Sequence, residues 1–222
     1  MKKVKFTKET KNILTVIIIG IALLGGVFAF YIFYPFYYKI GTASAQTWSN
    51  TDTFSLDDTI QLQKDPEKDF VVLNLADVQV YNFSLYNGDF LSAKRVITQM
   101  VAEKQPDLIT LTGDNVTGPL NYQALHQLIN LLDSFEIPWA PVMGNHDNDG
   151  SGDYNFVADE FAKSEYCIFN RGPNNLGVGN YVITIMENSN IIEALIMMDS
   201  HDDAVWTVQE DWYSWVVNGL SQ

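Results

Sequence analysis

The feature that limits this chain most is the run "NILTVIIIGIALLGGVFAFYIFY", Asn12 to Tyr34, which holds no charged residue. As a helix rising about 1.5 Å per residue, it covers a hydrocarbon core of about 30 Å. Its length and purity argue against a buried core helix. Lys2, Lys3, Lys5, Lys8 and Lys11 precede it against one acid, Glu9, and Tyr31, Tyr34, Tyr37 and Tyr38 gather at its far end. The lysine bias predicts a cytoplasmic basic segment over 1–11 and a single transmembrane anchor over 12–38, with the rest of the chain outside the cell membrane. "ASA" at Ala43–Ala45 resembles a signal-cleavage site, but a signal peptide's apolar region runs only about 7–15 residues. Cleaved or not, the segment sends the remainder outside.

That remainder is acidic. From residue 46 onward there are 26 acids against 7 bases, a net charge of −19. Such a surface repels phosphate backbones, so nucleic acid is not an expected partner. If a phosphate is bound, metal cations must supply the local positive field. The one cysteine, Cys167, excludes an internal disulfide.

Residues 39–57 are polar and rich in Ser and Thr, and read as a linker to a domain over 58–222. "TIQLQ" (Thr59–Gln63) and "FVVLNL" (Phe70–Leu75) flank the turn-prone "KDPEK", which predicts a hairpin. A helix follows over 89–104, with Leu91, Ile97, Met100 and Val101 on one face and Pro106 stopping it. "DLITLT" (Asp107–Thr112) and "WAPVM" (Trp139–Met143) read as strands, with a helix over 122–135 between them. A helix over 155–164, two neighbouring strands in "NYVITIME" and "IIEALIMMD", and a helix over 207–218 complete the pattern. Alternating strands and helices predict an α/β fold with a parallel or mixed sheet.

Polar residues follow each central strand: Asp77 and Gln79 after the first, Gly113, Asp114 and Asn115 after the second, and Asn145, His146 and Asp147 after the third. Ligand sites in open α/β sheets lie beyond the carboxyl ends of the strands. Two divalent metals about 3.5–4 Å apart can clamp a phosphate and generate a nucleophile between them. Asp114 is placed to bridge the metals, Asp77 to hold one and the neutral amide of Asn145 the other. His146 would face substrate and protonate the leaving oxygen, with Asp147 orienting it.

These motifs resemble the calcineurin-like metallophosphoesterases, whose signature runs "D-x-H", "GD", "GNHD" and then further histidines. "IPWAPVMGNHD", "GVGNY" and "LIMMDS" are similar to the branch related to purple acid phosphatases. The resemblance covers about Asp69 to the C-terminus. It implies an α/β sandwich of mixed sheets flanked by helices, and a phosphoester substrate cleaved with two divalent metal ions (Mn, Fe, Zn or Mg). It also implies metal ligation by Asp77, Gln79, Asp114 and Asn145, and substrate contacts from His146 and Asn115. Three departures stand out. Gln79 occupies a histidine position, Thr117 occupies a metal-binding tyrosine position, and the later histidine motifs are absent. The sandwich is therefore expected to be incomplete, with a catalytically impaired fragment or pseudoenzyme as the alternative.

Other readings are blander. "DNDGSGD" from Asp147 resembles a calcium loop, but its twelfth position is Ala158, which offers no side-chain ligand. His126 reads as solvated and His201 as a loop residue. Trp206, Trp212 and Trp215 read as packing.

Overall fold

The computed structural model describes residues 7–33, 39–81, 88–200 and 204–221. The chain divides into two compact units, Met1–Tyr37 and Tyr38–Gln222. In the first, one helix, α1 (Lys8–Phe33), carries the apolar run. Its side chains are exposed all round, Leu24 at 72% and Phe28 at 68%. Its Lys8–Phe30 stretch has a mean hydropathy of 2.8 and is long and apolar enough to cross a membrane. Tyr34, Tyr37 and Tyr38, expected at the interface, lie outside the described residues.

The second unit is built on a parallel sheet ordered β2 (Val72–Leu75), β4 (Leu108–Thr112), β6 (Trp139–Val142), where β1 is Ile60–Gln63 in a second sheet and β3 is Val80–Tyr81. The crossovers carry α2 (Gly88–Lys104) and α3 (Asn121–Asp133), as parallel neighbours require. Pro141 sits in β6 at the sheet's edge, where its missing N–H is tolerated. In the second sheet β1 runs parallel to β7 (Tyr181–Glu187), and β7 pairs antiparallel with β8 (Asn190–Met197). β3 pairs with β5 (Val116–Thr117) in a two-stranded ribbon.

Side-chain alternation along each strand sets the layers. Leu108 and Ala140 point to the second sheet and meet Tyr181, Ile183 and Met197. Ile109, Leu111 and Trp139 point the other way, to Ile97 of α2, Leu125, Leu128 and Leu132 of α3, and Phe161 of α4 (Tyr154–Phe161). Val182 and Ile196 face outward, onto Trp212 and Val216 of α5 (Thr207–Leu220). Two sheets thus pack face to face with helices outside both. The Tyr181 hydroxyl donates to Pro141 O at 2.8 Å and ties one sheet to the other.

Three expectations change. Thr59–Gln63 and Phe70–Leu75 do not form a hairpin, because β1 and β2 belong to different sheets. Leu91 is 56% exposed, so the buried face of α2 begins later. Residues 39–57 are no free tether. Trp48 is buried beside Leu176, Trp212 and Val216, and its backbone exchanges two hydrogen bonds with the Asn175 amide, each 2.9 Å. The Trp215 indole N–H donates to Asp52 O. A polar composition shows only that such a segment lacks regular structure; one tryptophan with a reciprocal asparagine is enough to dock it.

Candidate metal centre

β2 and β4 end in matching turns. Asp77 and Gln79 have φ of 50° and 43°, and Asp114 has φ of 50°. Left-handed backbone costs a residue with a side chain about 1–3 kcal/mol and persists where surrounding contacts impose it. Here the imposing contacts are visible. Gln79 N–H donates to Asp114 O at 2.9 Å and Val80 N–H to Asn115 O at 3.1 Å. The two turns are stitched together at the point where β3 and β5 begin.

The third turn follows β6 and closes on the second. Gly113 has φ of 94°. A Cβ at Gly144 would lie 2.2 Å from Asp114 Oδ1 and 2.3 Å from Asp114 N, so no side chain fits there. This contact explains both glycines flanking the site. The Asp114 carboxylate receives the His146 backbone N–H on Oδ1 at 3.0 Å and the Gln79 amide on Oδ2 at 3.4 Å. It therefore touches both other turns.

Asp77, Asp114 and Asn145 line one cleft of about 450 Å³, together with Thr112, Gly113, Gly144 and Met197, Met198 and Ser200 from the end of β8. Gln79 lines a second hollow against α2, and its amide nitrogen donates to Asp114 Oδ2 at 3.4 Å. Among the described residues no three His, Cys, Asp or Glu side chains gather as a metal-binding group. The donors in the cleft are two carboxylates and an amide. That set fits a hard, oxygen-preferring cation such as Mg or Mn better than zinc. His201 lies outside the described residues.

The expected partner of His146 is corrected. Asp147 is fully buried and does not meet the ring. Its Oδ1 accepts from Asn115 N and Val116 N, and its Oδ2 from Gly144 N and Asn115 Nδ2, all at 2.8–3.0 Å. Burial outweighs these donors and pushes its carboxyl up to about 6. Asp147 is the rivet between the second and third turns. Asn115 is likewise 0% exposed, its amide nitrogen shared between Asp147 and Val142 O and its amide oxygen buried without a hydrogen-bond partner.

The ring partner is Asp149. Its Oδ2 lies 2.8 Å from His146 Nδ1 and also accepts the Thr117 hydroxyl and the Gly118 N–H. The bond to Asp149 raises the imidazole above its ordinary value. The signal was in the sequence: Asn145–Asn148 is a 3₁₀ turn, and residues i and i+3 of such a turn lie above one another. His126 is half exposed and lies 2.8 Å from Glu160. The "DNDGSGD" loop continues into α4 through Asp153, which caps that helix at Phe156 N.

Comparison with known proteins places this geometry. The sequence model of the calcineurin-like phosphoesterase family matches residues 70–215. Phosphatase DCR2 of Saccharomyces cerevisiae is 28% identical over 132 residues, which is 54% of this chain and 23% of that protein. "Probable inactive purple acid phosphatase 28" of Arabidopsis thaliana is 36% identical over 64 residues, 28% of this chain and 16% of its own. "Probable inactive purple acid phosphatase 29" of the same plant is 25% identical over 138 residues, 54% of this chain and 34% of its own. The match thus spans about a third or less of each relative's length. No solved structure matches the chain significantly. With the family model covering most of the second unit, the chain belongs to the calcineurin-like phosphoesterases.

Proposed function

We propose that this chain is a membrane-anchored, metal-dependent phosphoesterase that hydrolyses phosphate monoesters outside the cytoplasmic membrane. The single observation that carries the reading is the convergence of Asp77, Asp114 and Asn145, from three separate strand ends, on one cleft. Asp77, Asp114 and Asn145 would hold divalent cations of the kind usual in the family, with the Gln79 amide supporting Asp114 beside them. Bound cations would supply a positive field and activate water for attack at phosphorus. The chain's own residues do the rest. Asn145 donates a neutral oxygen, which avoids adding negative charge beside an anionic substrate. His146, its tautomer and orientation fixed by Asp149, hydrogen-bonds the phosphoryl oxygens and delivers a proton to the leaving oxygen. α1 would anchor the domain over 58–222, with the basic N-terminal segment inside.

A second reading follows from the donor set and from the relatives named as inactive: a pseudoenzyme that holds a metal or a phosphate without turnover. One experiment separates them. The full chain in detergent is assayed for hydrolysis of an aryl phosphate with Mn, Mg, Zn or Fe supplied in turn. Metal-dependent turnover that disappears in Asp114→Asn supports the enzyme. Cation binding without turnover under any of the four supports the pseudoenzyme.

A further inference from the structure

The stretch that follows the apolar helix in sequence reaches back to the turn that carries Asp149. Lys39 forms an isolated parallel bridge with Gly152. Its N–H donates to Ser151 O, and Asp153 N–H donates to its carbonyl at 3.1 Å. Two residues on, Gly41 N–H donates to Asp153 Oδ1 at 3.0 Å, and Thr42 N–H to Asp159 Oδ2 at 2.9 Å. The same Asp153 oxygen caps α4 at Phe156 N at 2.7 Å. Gly41 passes so close to α4 that a Cβ there would lie 2.1 Å from Asn155 C and Phe156 N.

The lysine side chain fastens the same place from the other side. Its ammonium lies 3.1 Å from the centroid of the Tyr122 ring and 5.0 Å from that of Phe156. Such cation–ring contacts strengthen as water is excluded. Tyr122 belongs to α3, so Lys39 joins α3, α4 and the intervening turn. The turn is also held by the Thr117 hydroxyl and the Gly118 N–H, which donate to Asp149 Oδ2. It is rich in glycine, and Gly150 packs against the Asn121 amide with no space for a Cβ. One residue before Gly150, Asp149 Oδ2 lies 2.8 Å from Nδ1 of the His146 ring.

We propose that residues 39–42 are a positioning clamp for the proton-donating histidine: they fix the turn 149–153, and through Asp149 they fix the His146 ring. This rests on the catalytic role given to His146 above. Lys39 and Gly41 touch neither cleft nor substrate, so they act through Asp149. Misplacing a catalytic group by about 1 Å can cost up to about a hundredfold in rate.

The test uses the full chain in detergent. Gly41→Val drives a side chain into the backbone of α4. Lys39→Ala removes the ring contact without a clash and guards against a fold failure in the first variant. Two readouts are taken on each: amide hydrogen exchange over 149–153, and the NMR signals of the His146 ring. Exchange there should quicken at least about tenfold and the ring signals shift, while 109–112 in β4 is unchanged. Lys39→Arg should restore both. With an aryl phosphate, kcat should fall about tenfold with KM nearly constant, and neither variant should lose more in a His146→Ala background. Unchanged exchange and ring signals would overturn the clamp. So would an equal loss of kcat in the His146→Ala background. If the parent protein shows no turnover, the catalytic reading fails, and the exchange and NMR readouts still decide whether residues 39–42 hold the turn.

Discussion

Single residues decide what the cleft can be. Asp147 and Asp149 are two positions apart and do opposite work, and enclosure separates them: one is sealed, the other sits at the surface with a histidine. Sequence reading expected Asp147 beside the His146 ring, because it weighed adjacency where the 3₁₀ turn imposes a three-residue spacing and brings Asp149 there. Asn115, expected to meet substrate, is fully buried. A polar residue beside a candidate ligand reads as a site residue, and burial is not visible in sequence. Asp147 also carries a pH signature. Its folded-state value of about 6 lies above the ordinary value of about 3.9 expected when unfolded, so the folded protein holds the proton more tightly. Stability should be greatest below about pH 4 as far as this group is concerned. It should fall by about 3 kcal/mol as the pH rises from about 4 to about 6, then level off. Urea unfolding across that range, with EDTA present, should show this slope in the parent and lose it in Asp147→Asn.

Elements were the most legible scale. The strand–helix alternation, the three central strands and the polar residue at each strand end were all visible in the sequence, because buried parallel strands are continuous apolar runs and helices carry a 3.6-residue stripe. What failed was pairing. Nothing local told β1 from β2 as hairpin partners; only the second sheet, completed by β7 more than a hundred residues later, claims β1. The docking of one sheet on the other is equally non-local, and the Tyr181 hydroxyl ties them by donating to Pro141 O. Tyr181→Phe leaves that buried carbonyl without this donor and should cost about 1–3 kcal/mol in urea unfolding, with cleft activity intact. A loss of activity larger than the loss of stability would mean that the two sheets' docking also shapes the cleft.

For the whole molecule, charge and the apolar helix matter more than any contact. A domain with 26 acids against 7 bases after residue 45 repels a phosphate dianion at long range. Raising ionic strength from about 0.01 M to 0.15 M shortens the screening length from about 30 Å to about 8 Å. Under the proposed function, kcat/KM for an aryl phosphate should therefore rise over that range, the reverse of an enzyme with a basic funnel. A fall would mean that the field of bound cations at the cleft outweighs the acidic surface around it. The central claim, that three strand ends build one cation site, is tested most directly by calorimetric titration of the full chain with Mn²⁺. Saturable binding in the parent, weakened at least about tenfold in both Asp77→Ala and Asp114→Asn, is the predicted result. No binding in the parent, or binding left unchanged by both substitutions, would contradict it.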